Sequence, residues 1–156
     1  MKKRTPLAPL SIFLLFSLLL LSNSACNKKI APETLPADQI IFGNGGGFAG
    51  IEKTFVLLND GQIFEKSLDG KVYERRACIG KKTAAKLFAE CDSLKLSQRV
   101  FSEPDNLYQF MTIKTAGKVE NRLSWGSPTK PVPDDIAAFF NKLNGHLPKA
   151  KRMVTN

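Results

Sequence analysis

Two Asp-Gly turns constrain the fold of this chain more than any other feature of the sequence. Asp60-Gly61 and Asp69-Gly70 each lie between two runs that are rich in β-forming residues. Such turns reverse the chain between neighbouring antiparallel strands, because they need backbone angles that Asp and Gly adopt readily. The sequence therefore predicts a three-stranded antiparallel meander over residues 51–79.

The periodicity of the apolar residues changes after the meander. In residues 82–94 they recur at helical spacing, which predicts an amphipathic helix of about three turns. Residues 107–115 and 119–125 each favour a strand, and the Gly-containing turn between them predicts a β-hairpin. A proline-rich break then precedes a second helix, which begins at Asp134-Asp135 and ends at Gly145.

Together these elements predict an α+β domain over residues 39–148. A short leading strand at residues 39–42 joins the meander and the hairpin in one antiparallel sheet, and both helices pack on one face of it. The apolar stripes of the helices and the strand residues facing them are expected to form the core. They are Leu87, Phe88, Cys91, Ile136, Phe139, Phe140 and Leu143, with Phe55, Phe110 and Ile113 opposite them.

The N-terminus has the organisation of a bacterial export signal. Positive residues 2–4 precede an apolar run at residues 10–21, which is shorter than the about 20 apolar residues needed to span a bilayer. Ser24-Ala25 then lead into Cys26. This arrangement resembles the lipobox of bacterial lipoproteins, in the looser form typical of Bacteroidota, since Asn23 stands where Leu is usual. The resemblance implies acylation of Cys26, and ordinary signal cleavage is the alternative.

Loss of a signal peptide, residues 1–25, would leave a lipoprotein anchored to the bacterial cell envelope, facing the periplasm or the cell surface. The following residues, 26–38, contain two prolines and few apolar side chains, which predicts a tether, and residues 149–156 form a basic tail. The whole chain has a formal net charge of +9, but the positive residues are scattered. This pattern favours attraction to acidic lipid head groups or acidic partners, and we expect no binding to nucleic acid.

Two further cysteines, Cys78 and Cys91, would lie in a compartment where disulfides persist. Either they form a disulfide, or both are small buried side chains with free thiols. The single histidine, His146, makes a zinc site hard to assemble. No nucleophile with a base and no metal-ligand set is visible, so we expect no catalytic residue, no enzymatic activity, no cofactor and no metal.

A glycine-rich stretch, Gly43–Gly50, follows the leading strand. It satisfies the pattern G-x-G-x-x-G, but the residues after it predict a strand, whereas a dinucleotide site requires a helix there. Two interpretations stay open. The stretch is a turn or bulge whose glycines adopt positive φ angles. Alternatively, it is a bare loop that a partner's main chain can approach, with Phe48 as an apolar anchor.

The segment Gly45–Ile51 resembles emfourin, a family of small protein inhibitors of thermolysin-type metallopeptidases of the protealysin group. The stretches AAKLFAECDSL, LYQFMTI and PDDIAAFFNKL also look like its central helix, a later strand and its last helix. The resemblance covers roughly residues 39–147 and implies a peptidase as the partner. The positions it implies for partner binding are Gly46, Gly47, Phe48 and Ala49. The alternative function is a structural or assembly lipoprotein without inhibitory activity.

Overall fold

The computed structural model describes residues 28–149, which form one sheet and two α-helices. The strands are β1 (Lys29–Ile30), β2 (Gln39–Gly46), β3 (Lys53–Leu58), β4 (Gln62–Lys66), β5 (Tyr73–Cys78), β6 (Ser102–Glu103), β7 (Leu107–Thr115) and β8 (Lys118–Trp125). The helices are α1 (Lys81–Ser93) and α2 (Asp134–Gly145), and a short 3-10 turn covers Pro32–Thr34. The predicted α+β fold class is confirmed.

The strands follow the order β1-β5-β4-β3-β2-β7-β8-β6 across the sheet. All neighbours are antiparallel except β6, which runs parallel to β8. The two Asp-Gly turns join β3 to β4 and β4 to β5, with φ angles of +86° at Gly61 and +73° at Gly70. The antiparallel meander predicted from these turns is therefore confirmed.

Both helices cover the same face of the sheet and enclose the main core. The ring of Phe42, on β2, lies 5.7 Å from that of Phe55 and 6.5 Å from that of Phe140, measured between centroids. Trp125 meets Phe140 edge-on at 5.0 Å. Complete burial of a large apolar side chain contributes about 1.5–3 kcal/mol. These rings are therefore a principal attachment of α2 to the sheet.

One predicted core position is wrong. Phe55 and Ile113 belong to the cluster under the helices, and Phe88 of α1 is half-buried at its margin. Phe110 is fully buried, but on the opposite face of the sheet, where it lies beside Tyr108. Side chains alternate between the two faces of a strand, so residues 110 and 113 of a regular strand point in opposite directions.

Residues 28–38 differ from the predicted tether, because they fold against the sheet. β1 pairs with β5, with Lys29 opposite Glu74. Ile30 and Leu35 pack against a second, smaller core on the sheet face that the helices leave open. That core is formed by the buried residues Val56, Leu58 and Phe64. The pairing of β1 involves two residues, which is too short to produce a recognisable strand pattern in the sequence.

The proposed signal peptide, Cys26 and the basic tail beyond residue 149 lie outside the described residues. Within residues 28–149, no helix has the length and apolar character that crossing a membrane requires.

Candidate functional site

The glycine-rich stretch forms the end of β2 and the loop, residues 47–52, that leads into β3. β2 is longer than predicted and continues through Gly46, because residues 43–44 pair with strands on both sides and residues 45–46 pair with β7. Asn44 lies opposite Lys53 of β3, and Gly46 lies opposite Leu107 of β7. Glycine is a poor strand former by itself, so this extension depends on pairing that the local sequence does not reveal.

Two glycines of β2 are required by the close approach of neighbouring backbone. A Cβ atom on Gly43 would lie 2.0 Å from the carbonyl oxygen of Lys53. One on Gly46 would lie 1.9 Å from the carbonyl oxygen of Asn106, and the φ angle of Gly46 is +100°. Any side chain at either position would displace the neighbouring strand or loop. Gly46 therefore sets the base of the loop.

The tip of the loop is a hydrogen-bonded turn. The N–H of Gly47 donates to the carbonyl oxygen of Asn106 at 2.7 Å, which ties the loop to the segment before β7. The N–H of Gly50 donates to the carbonyl oxygen of Gly47 at 3.0 Å, which closes a four-residue turn with Phe48 and Ala49 at its centre. Gly47 and Gly50 have φ angles of +73° and +61°. The stretch is thus a turn with positive φ angles, as the first interpretation has it. It also presents Phe48, as the second interpretation requires.

Phe48 is fully exposed to solvent among the described residues. Its side chain has a relative exposure of 111%. Six large apolar side chains are exposed within residues 28–149, and four of them lie at one end of the sheet, where β2 ends and β3 begins. We call this end of the sheet the apolar end; its members are Phe48, Ile51, Leu68 and Leu107. A concentration of exposed apolar side chains is typical of an interaction surface.

A polar network supports the loop where it enters β3. The carboxylate of Glu52 accepts hydrogen bonds from the hydroxyl of Tyr108 at 2.7 Å and from the guanidinium of Arg122 at 2.6 Å. Arg122 also lies over the ring of Phe110, 4.0 Å from its centroid. The hydrogen bond to Glu52 raises the pKa of Tyr108, because only the protonated phenol can donate it.

Sequence reasoning missed the three polar members of this network. Glu52 is separated from Tyr108 by 56 positions and from Arg122 by 70. Each side chain alone looks like an ordinary solvated residue of an exposed strand. The one available signal was the position of Glu52 directly after the glycine stretch.

A shallow hollow of about 630 Å³ separates the loop from the turn between β4 and β5, and Ile51, Leu68 and Tyr108 are part of its lining. A second hollow, of about 300 Å³, lies on the other side of Tyr108 and is lined in part by Leu107 and Trp125. Both could receive side chains of a bound protein. Among residues 28–149, no three His, Cys, Asp or Glu side chains come together in a way that could hold a metal ion.

Cys78 and Cys91 are both free thiols in the structure. Cys78 is exposed at the end of β5, whereas Cys91 is buried on α1. Burial raises the pKa of Cys91 to about 12, because a thiolate is poorly solvated in the core. The structure therefore contains neither the disulfide nor the pair of buried thiols that the sequence left open.

Compared with models of known protein families and with curated proteins, the sequence matches none. The resemblance to emfourin consequently stays a prediction, whose specific element is the glycine segment.

Proposed function

We propose that this protein is a lipid-anchored protein of the bacterial cell envelope that binds a protein partner through the Gly45–Gly50 loop. We further propose that the partner is an exported thermolysin-type metallopeptidase, which the loop inhibits. The observation that carries the proposal is the full exposure of Phe48 at the tip of a turn with a fixed backbone.

The geometry of the loop favours binding because little order must be created when the partner arrives. The bond from Gly47 to Asn106 and the network around Glu52 hold both ends of the loop. Binding loops that are already ordered lose less conformational entropy on association than flexible ones. A larger part of the free energy gained by burying Phe48 therefore contributes to the binding affinity.

The form of the loop fits a cleft that normally accepts an extended peptide. Gly47 and Ala49 flank Phe48 with almost no side-chain bulk, so a partner's main chain can come close enough for hydrogen bonds. The ring of Phe48 would serve as the anchor, as aromatic side chains often do at the centre of protein interfaces. The other members of the apolar end would form the surrounding contact.

An inhibition assay tests this proposal. The lipidated protein is titrated against a thermolysin-type peptidase, as the wild type and as Phe48→Ala. Removal of an anchor residue typically costs about 2 kcal/mol or more, so we expect the inhibition constant to rise about 30-fold. The matched control is Val119→Ala, because Val119 is also exposed but lies on β8, away from the apolar end.

A pull-down from envelope extract with the same three proteins extends the test to partners of other classes. Inhibition that is lost with Phe48→Ala and kept with Val119→Ala supports the proposal. An absence of inhibition at high protein excess, or capture that survives the loss of Phe48, would favour a structural or assembly lipoprotein instead.

A further inference from the structure

A strip of basic side chains follows the edge of the sheet at β1 and β5. It comprises Lys28, Lys29, Arg75 and Arg76, and Lys81 and Lys82 follow at the start of α1, shortly after β5. Lys29 pairs with Glu74 at 2.7 Å, and Arg76 pairs with Glu65 at 2.6 Å. The other four cations form no salt bridge with any carboxylate of residues 28–149. The strip, which we call the basic edge, thus keeps an excess of positive charge.

The proposed lipid anchor lies very close to this edge along the chain. The carbonyl oxygen of Lys28 accepts a hydrogen bond of 2.9 Å from the backbone N–H of Arg75, which fixes Lys28 to the sheet. Cys26 is only two residues earlier, and two extended residues span at most about 7 Å. An acyl chain on Cys26 would therefore enter the bilayer within about 7 Å of Lys28, beside the basic edge.

We propose that the basic edge docks on anionic lipid head groups of the membrane that holds the anchor, so that the domain lies against the bilayer in one orientation. This inference rests on the proposed acylation of Cys26. Juxtamembrane Lys and Arg side chains are attracted to the negative surface of a membrane that contains anionic lipids.

The shape of the edge suits phosphate groups. Lys28, Lys29, Arg75 and Arg76 line a small hollow, and the one acidic side chain in its lining is Glu74. Arginine side chains bind phosphate oxygens through pairs of parallel hydrogen bonds, and lysine adds a point charge. Phosphate oxygens of lipid head groups can therefore contact the cations at the rim of this hollow.

The docked orientation keeps the apolar end free for a partner. Three strands separate β1 from β2, and at about 4.8 Å for each of four strand spacings the loop lies about 19 Å from this edge. β1 is antiparallel to β5, so from Ile30 back to Lys28 the chain runs away from the turn that carries Leu68. At Lys28 the described part of the chain consequently points away from the apolar end.

Cys78 is a native reporter for this docking. It is exposed at the end of β5, three residues after Arg75, and β1 does not reach it. Cys91 is buried and its pKa is raised, so it reacts slowly with alkylating reagents. The thiol of Cys26 is blocked when it is acylated. An uncharged polymeric maleimide should therefore label Cys78 alone, which mass spectrometry can verify.

The experiment uses the lipidated full-length protein on vesicles of phosphatidylcholine, with and without phosphatidylglycerol. We expect alkylation of Cys78 to be at least about fivefold slower on the anionic vesicles, which is the contribution of one basic side chain near such a surface. High salt should restore the faster rate, because the Debye length falls to about 3 Å at 1 M.

Two matched double variants separate docking from general charge. Lys28→Gln with Arg75→Gln should abolish the protection of Cys78. Lys114→Gln with Lys118→Gln removes the same charge from the hairpin of β7 and β8 and should leave the protection intact. Equal protection in both variants would overturn the docking.

Flotation with neutral vesicles measures the anchor independently. A protein that floats but is alkylated equally fast on both kinds of vesicle overturns the docking and leaves the anchor in place. A protein that does not float with neutral vesicles overturns the proposed acylation of Cys26, and the docking with it.

Discussion

The aromatic side chains of the main core are buried, whereas the aromatic side chain of the Gly45–Gly50 loop is exposed to solvent. Phe140, which belongs to α2, is buried against the sheet in edge-to-face contact with Phe42 and Trp125. Phe48 is fully exposed on a turn that is held through its backbone. The shape of the loop therefore does not depend on its aromatic ring. The ring of Phe48 is therefore available for contact with another molecule.

The largest expected effect is on the core side of this comparison. Phe140→Ala should lower the free energy of unfolding by about 3–5 kcal/mol, because it leaves a cavity beside the rings of Phe42 and Trp125. Phe48→Ala should change it by less than about 0.5 kcal/mol, as is usual for an exposed position. Urea unfolding followed by the fluorescence of Trp125 measures both. A clear loss of stability in Phe48→Ala would mean that the ring packs on its own domain.

A smaller effect separates the base of the loop from its tip. Gly46→Ala should destabilise the protein by about 2 kcal/mol or more, because its Cβ would clash with the carbonyl oxygen of Asn106 at a positive φ angle. Gly50→Ala should cost about 1 kcal/mol, since its φ is positive but no atom lies within 4 Å of the added Cβ. Equal losses in the two variants would show that the loop is not held at Gly46.

The smallest effect concerns the support of the loop by Glu52. In a Tyr73→Phe background, Tyr108 is the remaining tyrosine of the chain, and its ionisation can be followed by ultraviolet absorbance. Its pKa should lie above the ordinary value near 10, and Glu52→Ala should move it back down. A raised pKa means that this contact stabilises the fold below pH 10 and that its contribution is lost as the pH rises through the folded-state value. An unchanged titration in Glu52→Ala would contradict the network.

The sequence was most informative where one local pattern decides the structure. The Asp-Gly turns predicted the meander, and the helical spacing around Cys91 and Phe139 predicted both helices, since turn chemistry and amphipathicity act over a few residues. The alternation in residues 107–115 predicted the bounds of β7 as the structure has them. Around the candidate site, the same reasoning located the exposed loop and Phe48 at its centre.

What the sequence could not predict depends on contacts between distant segments. β1 is two residues long, and its position is set by pairing with β5, more than 40 positions later. The extension of β2 to Gly46 depends on pairing with β7 throughout and with β3 as far as Asn44. The network of Glu52 and Arg122 joins the loop before β3 to β8, two segments that come together only after the sheet has formed. None of these has a local signature in the sequence.

The short length of β6 has a consequence for the behaviour of the protein at high density. β6 pairs only with Ser124 and Trp125, so most of the outer edge of β8 has no neighbouring strand within residues 28–149. Such edges invite pairing with other molecules, and membrane anchoring would concentrate the protein in two dimensions. The exposed part of β8 carries a charged residue at every second position, namely Lys118, Glu120 and Arg122. These charges oppose edge-to-edge pairing of one copy with the next. The amide of Asn121 also donates to the carbonyl oxygen of Leu96, which holds the segment after α1 against this strand.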